Sequence, residues 1–207
     1  MKQIVLFFFI STALGFVFVC NKNKPTPPTI PEDPSYYYPR QEKYSWRYIH
    51  LAPGCEKDAI ADSFYFTILR ANTRHGDVGY DRFRNADTNA ITFIFKIADT
   101  LFAEPVGQGV PLYKILVGPV KAGTYWTDSY FNYLIQGFED VTLTINGETY
   151  KRCAKIMKRY LNPTKTNKIY EWWVPQYGEV KWIEVDAADT CREATELRYF
   201  SPTGVFP

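Results

Sequence analysis

The stretch EKYSWRYIHL, Glu42 to Leu51, decides the fold. Tyr44, Trp46, Tyr48 and His50 fall on one side of an extended chain, and Ser45, Arg47, Ile49 and Leu51 on the other, because successive side chains of a β-strand point to opposite faces. Every second residue is therefore aromatic or ring-bearing, a pattern no helix period accommodates. DSFYFTILR (62–70) and ITFIFKI (91–97) repeat it with the aromatic and β-branched residues that suit a pleated, half-buried surface. VPLYKILV (110–117), YWTDSYFNYLI (125–135), VTLTI (141–145), TYKRCAKIMKRYL (149–161), KIYEWWV (168–174), EVKWIEV (179–185) and TELRYF (195–200) continue the series. KRCAKIMKRYL fits a helical period as well as a strand, and both readings stand at this point. Turn signals separate the runs. Asn146-Gly147 accepts the positive φ angles of a type I′ hairpin, and Tyr177-Gly178 divides the two Trp-rich segments. Short strands, regular turns and no long amphipathic run give a mainly β fold: an antiparallel curled sheet forming a barrel or half-barrel, lipocalin-like or lipoprotein-carrier-like.

Ahead of the strands the chain changes character. Met1-Lys2-Gln3 is a short cationic start, Ile4 to Val19 carries no charge, and a polar, proline-rich stretch follows Cys20. That run is short for a bilayer crossing, which takes about 20 apolar residues, and no basic stop-transfer cluster ends it. The expected organisation is a signal peptide over 1–19, Cys20 and a linker stiffened by prolines over 20–42, and one β-rich domain over 43–207. Val17-Phe18-Val19-Cys20 resembles a bacterial lipoprotein lipobox: Val17 and Cys20 match, whereas Phe18 and Val19 stand where small residues are usual. The resemblance implies acylation of Cys20, and two or three chains hold a protein firmly where one does so marginally. Cys20→Ala is expected to abolish labelling by a radioactive fatty acid; equal label in the two proteins would exclude the anchor. Asn21-Lys22-Asn23-Lys24 lacks an acidic run after the cysteine, which points to an outer-membrane lipoprotein facing the periplasm.

Three further segments resemble a family of Gram-negative lipoproteins with a β-rich domain and no assigned activity. They are Tyr37-Tyr38-Pro39 with Trp46-Arg47-Tyr48 ("YYP…W.Y"), Pro119-Val120-Lys121-Ala122-Gly123-Thr124-Tyr125-Trp126 ("P.K.G..W"), and Tyr177-Gly178-Glu179-Val180-Lys181 with Glu196-Leu197 ("G.VK…EL"). The resemblance implies a fold and an envelope address, and no catalytic residue.

Composition narrows the function classes. Lys+Arg 24 against Asp+Glu 22 leaves a net charge of +2, too small to create the basic field that nucleic acid requires. Only His50 and His75 are present, without a His-x-His or Cys-x-x-Cys pair, so no metal site is expected. Asn85-Ala86-Asp87-Thr88-Asn89 starts like a calcium loop but lacks its Gly and closing Glu. No nucleophile elbow, phosphate loop or zinc-protease motif appears, so neither a catalytic residue nor a cofactor is assigned. Glu171, Glu179, Glu184 and Asp186 read as charges on the solvent face of strands, and Ala71–Ala90 as a long polar loop.

In an oxidising compartment three cysteines remain after Cys20. If the first strand, ending near Leu51, runs antiparallel to the last, starting near Glu193, then Cys55 and Cys191 meet at one end of the sheet, and Cys153 is a small buried residue. The expected protein is a non-enzymatic, membrane-anchored binder of a hydrophobic or glycan ligand, or of an envelope protein. Its candidate contacts are Tyr44, Trp46, Tyr48, Trp172, Trp173 and Trp182. The alternative is an envelope hydrolase of glycosidase type with an acidic pair beside an aromatic platform.

Overall fold

The computed structural model describes residues 29–38, 41–74, 76–85, 87–107 and 111–204. The expected signal segment, Cys20 and His75 lie outside the described residues. The chain divides into two units, Met1–Ile30 and Pro31–Pro207, and all the strands belong to the second.

Twelve strands follow one another: Ser45–Leu51 (β1), Ile60–Arg74 (β2), Asp77–Arg84 (β3), Asp87–Ile97 (β4), Thr100–Pro105 (β5), Tyr113–Val117 (β6), Tyr125–Thr127 (β7), Phe131–Thr142 (β8), Thr149–Tyr160 (β9), Lys168–Val174 (β10), Gly178–Val185 (β11) and Cys191–Ser201 (β12). They form a single antiparallel sheet in the order β6-β5-β4-β3-β2-β1-β12-β11-β10-β9-β8-β7. Each strand pairs with its neighbours in sequence, and β1 pairs with β12. The sheet curls into a nearly closed barrel whose two edges, β6 and β7, are consecutive in the chain. Near-closure protects the backbone groups that an open sheet would leave at its edges.

The β1–β12 register, Ser45 opposite Ser201 through Leu51 opposite Ala194, places residues 52–59 and 186–190 at the same end of the barrel. There Gly54 N donates to Arg192 O, and Cys55 and Cys191 form a disulfide with Cα atoms 6.0 Å apart. Cys153 is a free thiol inside β9, fully buried, and burial pushes its pKa up to about 12. TYKRCAKIMKRYL is strand throughout its first twelve residues, since both ladder partners, β8 and β10, are present to satisfy its backbone.

Several expectations are corrected. The folded unit begins before residue 43. Pro34–Tyr37 forms a turn of 3-10 helix capped by the Asp33 carboxylate, Tyr37 is fully buried, and Tyr38 packs against Trp46 and Trp173. Glu32 O accepts from Val120 N and Tyr36 O from Gln176 N, so this segment crosses the barrel end opposite the disulfide and closes it. Aromatic burial outweighs the stiffening prolines here. Ala71–Ala90 is no loop but the β2–β3–β4 meander. Gly76, at φ 85°, turns the chain, and Gly79 lets β3 approach β4, since a Cβ there would lie 2.8 Å from the Phe93 ring. Asp81, wholly buried, accepts from Arg70, Asn72 and Arg74, which gives the polar stretch its cohesion.

YWTDSYFNYLI breaks into β7 and β8 because Asp128 Oδ1 captures the Tyr130 and Phe131 N–H groups. The Asn146-Gly147 turn is longer than a two-residue hairpin. Only Gly147 has positive φ, Asn146 Oδ1 accepts from Glu148 N, and Ile145 N donates to Glu196 Oε2, which draws the loop down onto the sheet.

Candidate functional site

Which side of the sheet is the lumen follows from charge contacts between remote strands. Glu179 on β11 is within electrostatic reach of Lys158 on β9 and Arg82 on β3, and Lys158 is within reach of Tyr113 on β6. Strands so distant in sheet order can exchange fields of this size only across the barrel's interior. The inward face thus carries Trp46, Tyr48 and His50 of β1. Phe66 and Phe64 stand opposite Trp46 and Tyr48 on β2, and Arg84 stands opposite Phe66 on β3.

Near the disulfide end these side chains surround a cavity of about 420 Å³. Its walls are Tyr48, Phe64, Phe66 and Trp182, with Arg82, Arg84, Glu179, His50, Asp62, Glu193 and Thr195 among them. The Arg82 guanidinium lies 4.1 Å over the Phe66 ring and that of Arg84 4.6 Å over Phe64. Tyr48 stacks on Phe64 and its hydroxyl donates to Glu179 O at 2.8 Å, tying β1 to β11 across β12. His50 meets Thr195 Oγ1 through Nδ1 and Glu193 through Nε2. A void of about 30 Å³ adjoins this cavity, bounded by Tyr38, Trp46, Trp173 and Gly178, so the closing segment forms its floor.

The lumen holds two acids with different partners. Glu171 is buried, ion-paired with Lys158, and accepts from Trp173 Nε1 at 3.1 Å. Burial works against the charge on Lys158, and Glu171 with Glu179 more than offsets it, holding that lysine above its usual range. Glu179 has no such cation of its own. Burial, reinforced by the nearby Glu171 charge and opposed by Lys158 and Arg82, pushes its pKa up to about 8. Both residues had been assigned to the solvent face, and both point inward; parity alone cannot tell which face of a curled sheet becomes the lumen.

A carboxyl whose folded pKa is raised binds its proton to higher pH than the unfolded chain does. Its contribution therefore lowers stability as pH climbs from about 4.5 toward 8 and is constant beyond. Glu179→Gln is expected to gain stability relative to the parent across that window, by about 1.4 kcal/mol for each unit of the shift. Urea unfolding at pH 5 and pH 8 reads this out, and a pH-independent difference between the two proteins would contradict it.

Of the six aromatic candidates, the structure brings Tyr48 and Trp182 into the cavity. Trp46 and Trp173 are 3% and 4% exposed and fill the layer beneath it. Trp172 faces away, as alternation requires, but is covered: its Nε1 donates to Glu139 and Lys155 lies 5.4 Å from its ring. Tyr44 lies at the closed end, in a surface depression shared with Tyr36, Tyr177 and Phe200. The cavity residues not singled out from sequence are Phe64, Phe66, Arg82 and Arg84, and Glu179 was read there as a solvent-face charge. The alternation Arg82-Phe83-Arg84 was their visible signal, two cations of one parity inside an aromatic-rich strand. Among the described residues no group of three or more His, Cys, Asp or Glu is placed to hold a metal ion.

A scan against protein-family models and a search of curated proteins find no match. Among solved structures, an exported protein with a YmcC-like fold from Bacteroides fragilis is 12% identical, with a TM-score of 0.54 over 80% of this chain and 99% of that one. A lipoprotein from Parabacteroides distasonis is 13% identical, with a TM-score of 0.42 over 80% and 98% of the two chains. The MucA/MucB complex of Pseudomonas aeruginosa gives 8% and 0.31, over 76% of this chain and 50% of that one. At these identities the likeness concerns the fold alone, and that fold is the one this chain shares with the Bacteroides fragilis exported protein.

Proposed function

We propose that this chain is a non-enzymatic, lipid-anchored protein of the cell envelope whose barrel lumen binds a glycan. The observation that carries the reading is the make-up of the cavity: an aromatic wall, Trp182, with the His50 ring 6.2 Å away, shares it with a set of polar groups, among them Arg82, Arg84, Glu179, Asp62 and Thr195. An acyl chain in the same space would strip water from these groups and return no hydrogen bonds. A sugar offers hydroxyls to the polar groups and an apolar ring face to the indole. The geometry also orients the site. Pro31 enters at the closed end, through Glu32 and Pro34 against residues 118–120, and the mouth lies at the disulfide end. With Cys20 acylated, a tether starting at Pro31 leaves from the end opposite the mouth, which suits a lipoprotein of the outer membrane that presents its cavity to the periplasm.

The test is titration of the full-length protein in detergent with a panel of oligosaccharides and a fatty acid, followed by tryptophan fluorescence. Trp182→Ala is expected to weaken oligosaccharide binding about tenfold, close to 1.4 kcal/mol for one aromatic face. Fatty-acid binding without any oligosaccharide binding would overturn the reading.

One feature favours a second reading, a glycosidase-like hydrolase. Glu179, held protonated at neutral pH, shares its cavity with Asp62 and Glu193, and a proton-bearing acid beside ionisable partners is the arrangement such chemistry uses. Release of reducing ends from the same panel, lost in Glu179→Gln, would replace the binding protein by an enzyme.

A further inference from the structure

We propose that the lumen selects acidic sugars, with Arg82 and Arg84 as a paired receptor for an oxyanion on the ring; the inference rests on the glycan reading of the cavity. The two arginines are two apart on β3, so their guanidinium groups leave the same face about 7 Å from one another. Each is laid over a phenyl ring, Arg82 on Phe66 and Arg84 on Phe64, which fixes the planes and leaves the N–H edges available for bidentate contact with a carboxylate or phosphate.

What marks these two is that, among the described residues, no carboxylate is paired with them, whereas their neighbours have one. On the same hairpin Arg70 and Arg74 are both ion-paired to Asp81, whereas among the described residues neither Arg82 nor Arg84 lies within ion-pair distance of a carboxylate. Arg82 donates to the neutral Tyr38 hydroxyl at 3.1 Å, and among the described residues its buried Nε–H has no acceptor. Facing it across the cavity, Glu179 Oε1 is buried and equally without a partner. Buried polar atoms are nearly always satisfied, and these two orphans lie beneath the wall of one cavity, on residues that both line it. A sugar acid supplies the needed set: its oxyanion for the Arg82 and Arg84 edges, hydroxyls for Glu179 and Thr195, and a ring face for Trp182. The other acids of the cavity do not neutralise the pair, since Glu193 is turned to His50 and Asp62 stands exposed at the rim.

The oxyanion could be the carboxylate of a uronic acid or a phosphate ester, and the experiment separates them. Full-length protein in detergent is titrated calorimetrically with an oligouronate, the neutral oligosaccharide of the same linkage, and the corresponding sugar phosphate. The oligouronate is expected to bind at least about tenfold more tightly than its neutral counterpart, with an affinity that falls as salt rises. Arg84 is exposed, with its guanidinium over the Phe64 ring, so Arg84→Gln is expected to keep the fold, which a thermal melt verifies. It is expected to bring the ratio of acidic to neutral affinity close to one, whatever it does to neutral binding itself, and Arg84→Lys to restore only part of that ratio. Tighter binding of the sugar phosphate, lost in Arg84→Gln, supports the pair and assigns phosphate as its source. Equal affinity for acidic and neutral sugars, or an unchanged preference in Arg84→Gln, overturns the pair's role and leaves the glycan reading standing. Binding of no sugar at all overturns the glycan reading, and the pair with it.

Discussion

Loss of the Cys55–Cys191 bond is expected to destabilise the domain by about 4–5 kcal/mol, a large part of what holds an ordinary domain folded. The bond joins residues 136 apart in sequence, and a crosslink closing so long a loop removes much of the unfolded chain's freedom. It also lies just beyond the paired ends of β1 and β12, where Leu51 faces Ala194 and Gly54 N already bonds to Arg192 O. Urea unfolding of Cys191→Ser against the parent, each with and without reductant, measures the effect. The parent should lose the increment on reduction and the variant should not respond. A loss below about 1 kcal/mol would mean that the β1–β12 ladder holds the barrel without a staple. Peptide mapping without reduction should recover a linked pair containing Cys55 and Cys191, with Cys153 unreactive in the native protein because its thiol is buried and its pKa raised.

Lys158→Met is expected to cost about 3–5 kcal/mol, since it leaves the buried Glu171 carboxylate without its cation. The ammonium meets that carboxylate with the rings of Phe131 and Tyr133 5.8 and 5.2 Å away, so it is held in place by apolar walls. Lys158→Met combined with Glu171→Met discriminates between an ion pair and simple packing. Replacing both charges by apolar side chains of similar size should recover most of the loss. A double variant as unstable as the sum of the two single ones would show that the pair matters through shape and not through charge.

The β character of the chain was legible because alternation is a property of the local backbone. Trp46-Arg47-Tyr48-Ile49 can satisfy one buried face only in extended form, and the same holds for Phe64-Tyr65-Phe66 and Ile91–Ile97. The meeting of Cys55 with Cys191 followed from strand direction once the first and last strands were taken as neighbours. Local rules failed where a distant group competes with them: Asp128 and Glu196 capture backbone N–H groups and so set where β7 ends and how the 143–148 turn folds, and Tyr37 and Tyr38 pull a proline-rich linker into the barrel floor. The candidate site was half legible. Tyr48 and Trp182 stood out as aromatics, but Glu179 and Arg82 look like surface charges in any linear reading. Alternation states that Arg82 and Arg84 share a face, and closure of the sheet alone turns that face toward the lumen, with Arg82 partly shielded and Arg84 open to water. Sequence by itself determined most of the strands and their parity, though neither β3 nor β5, and the separation of the cysteines. Tertiary structure decided which parity became the lumen, which end was closed and which charges were left without partners, because these depend on contacts between strands far apart in the chain.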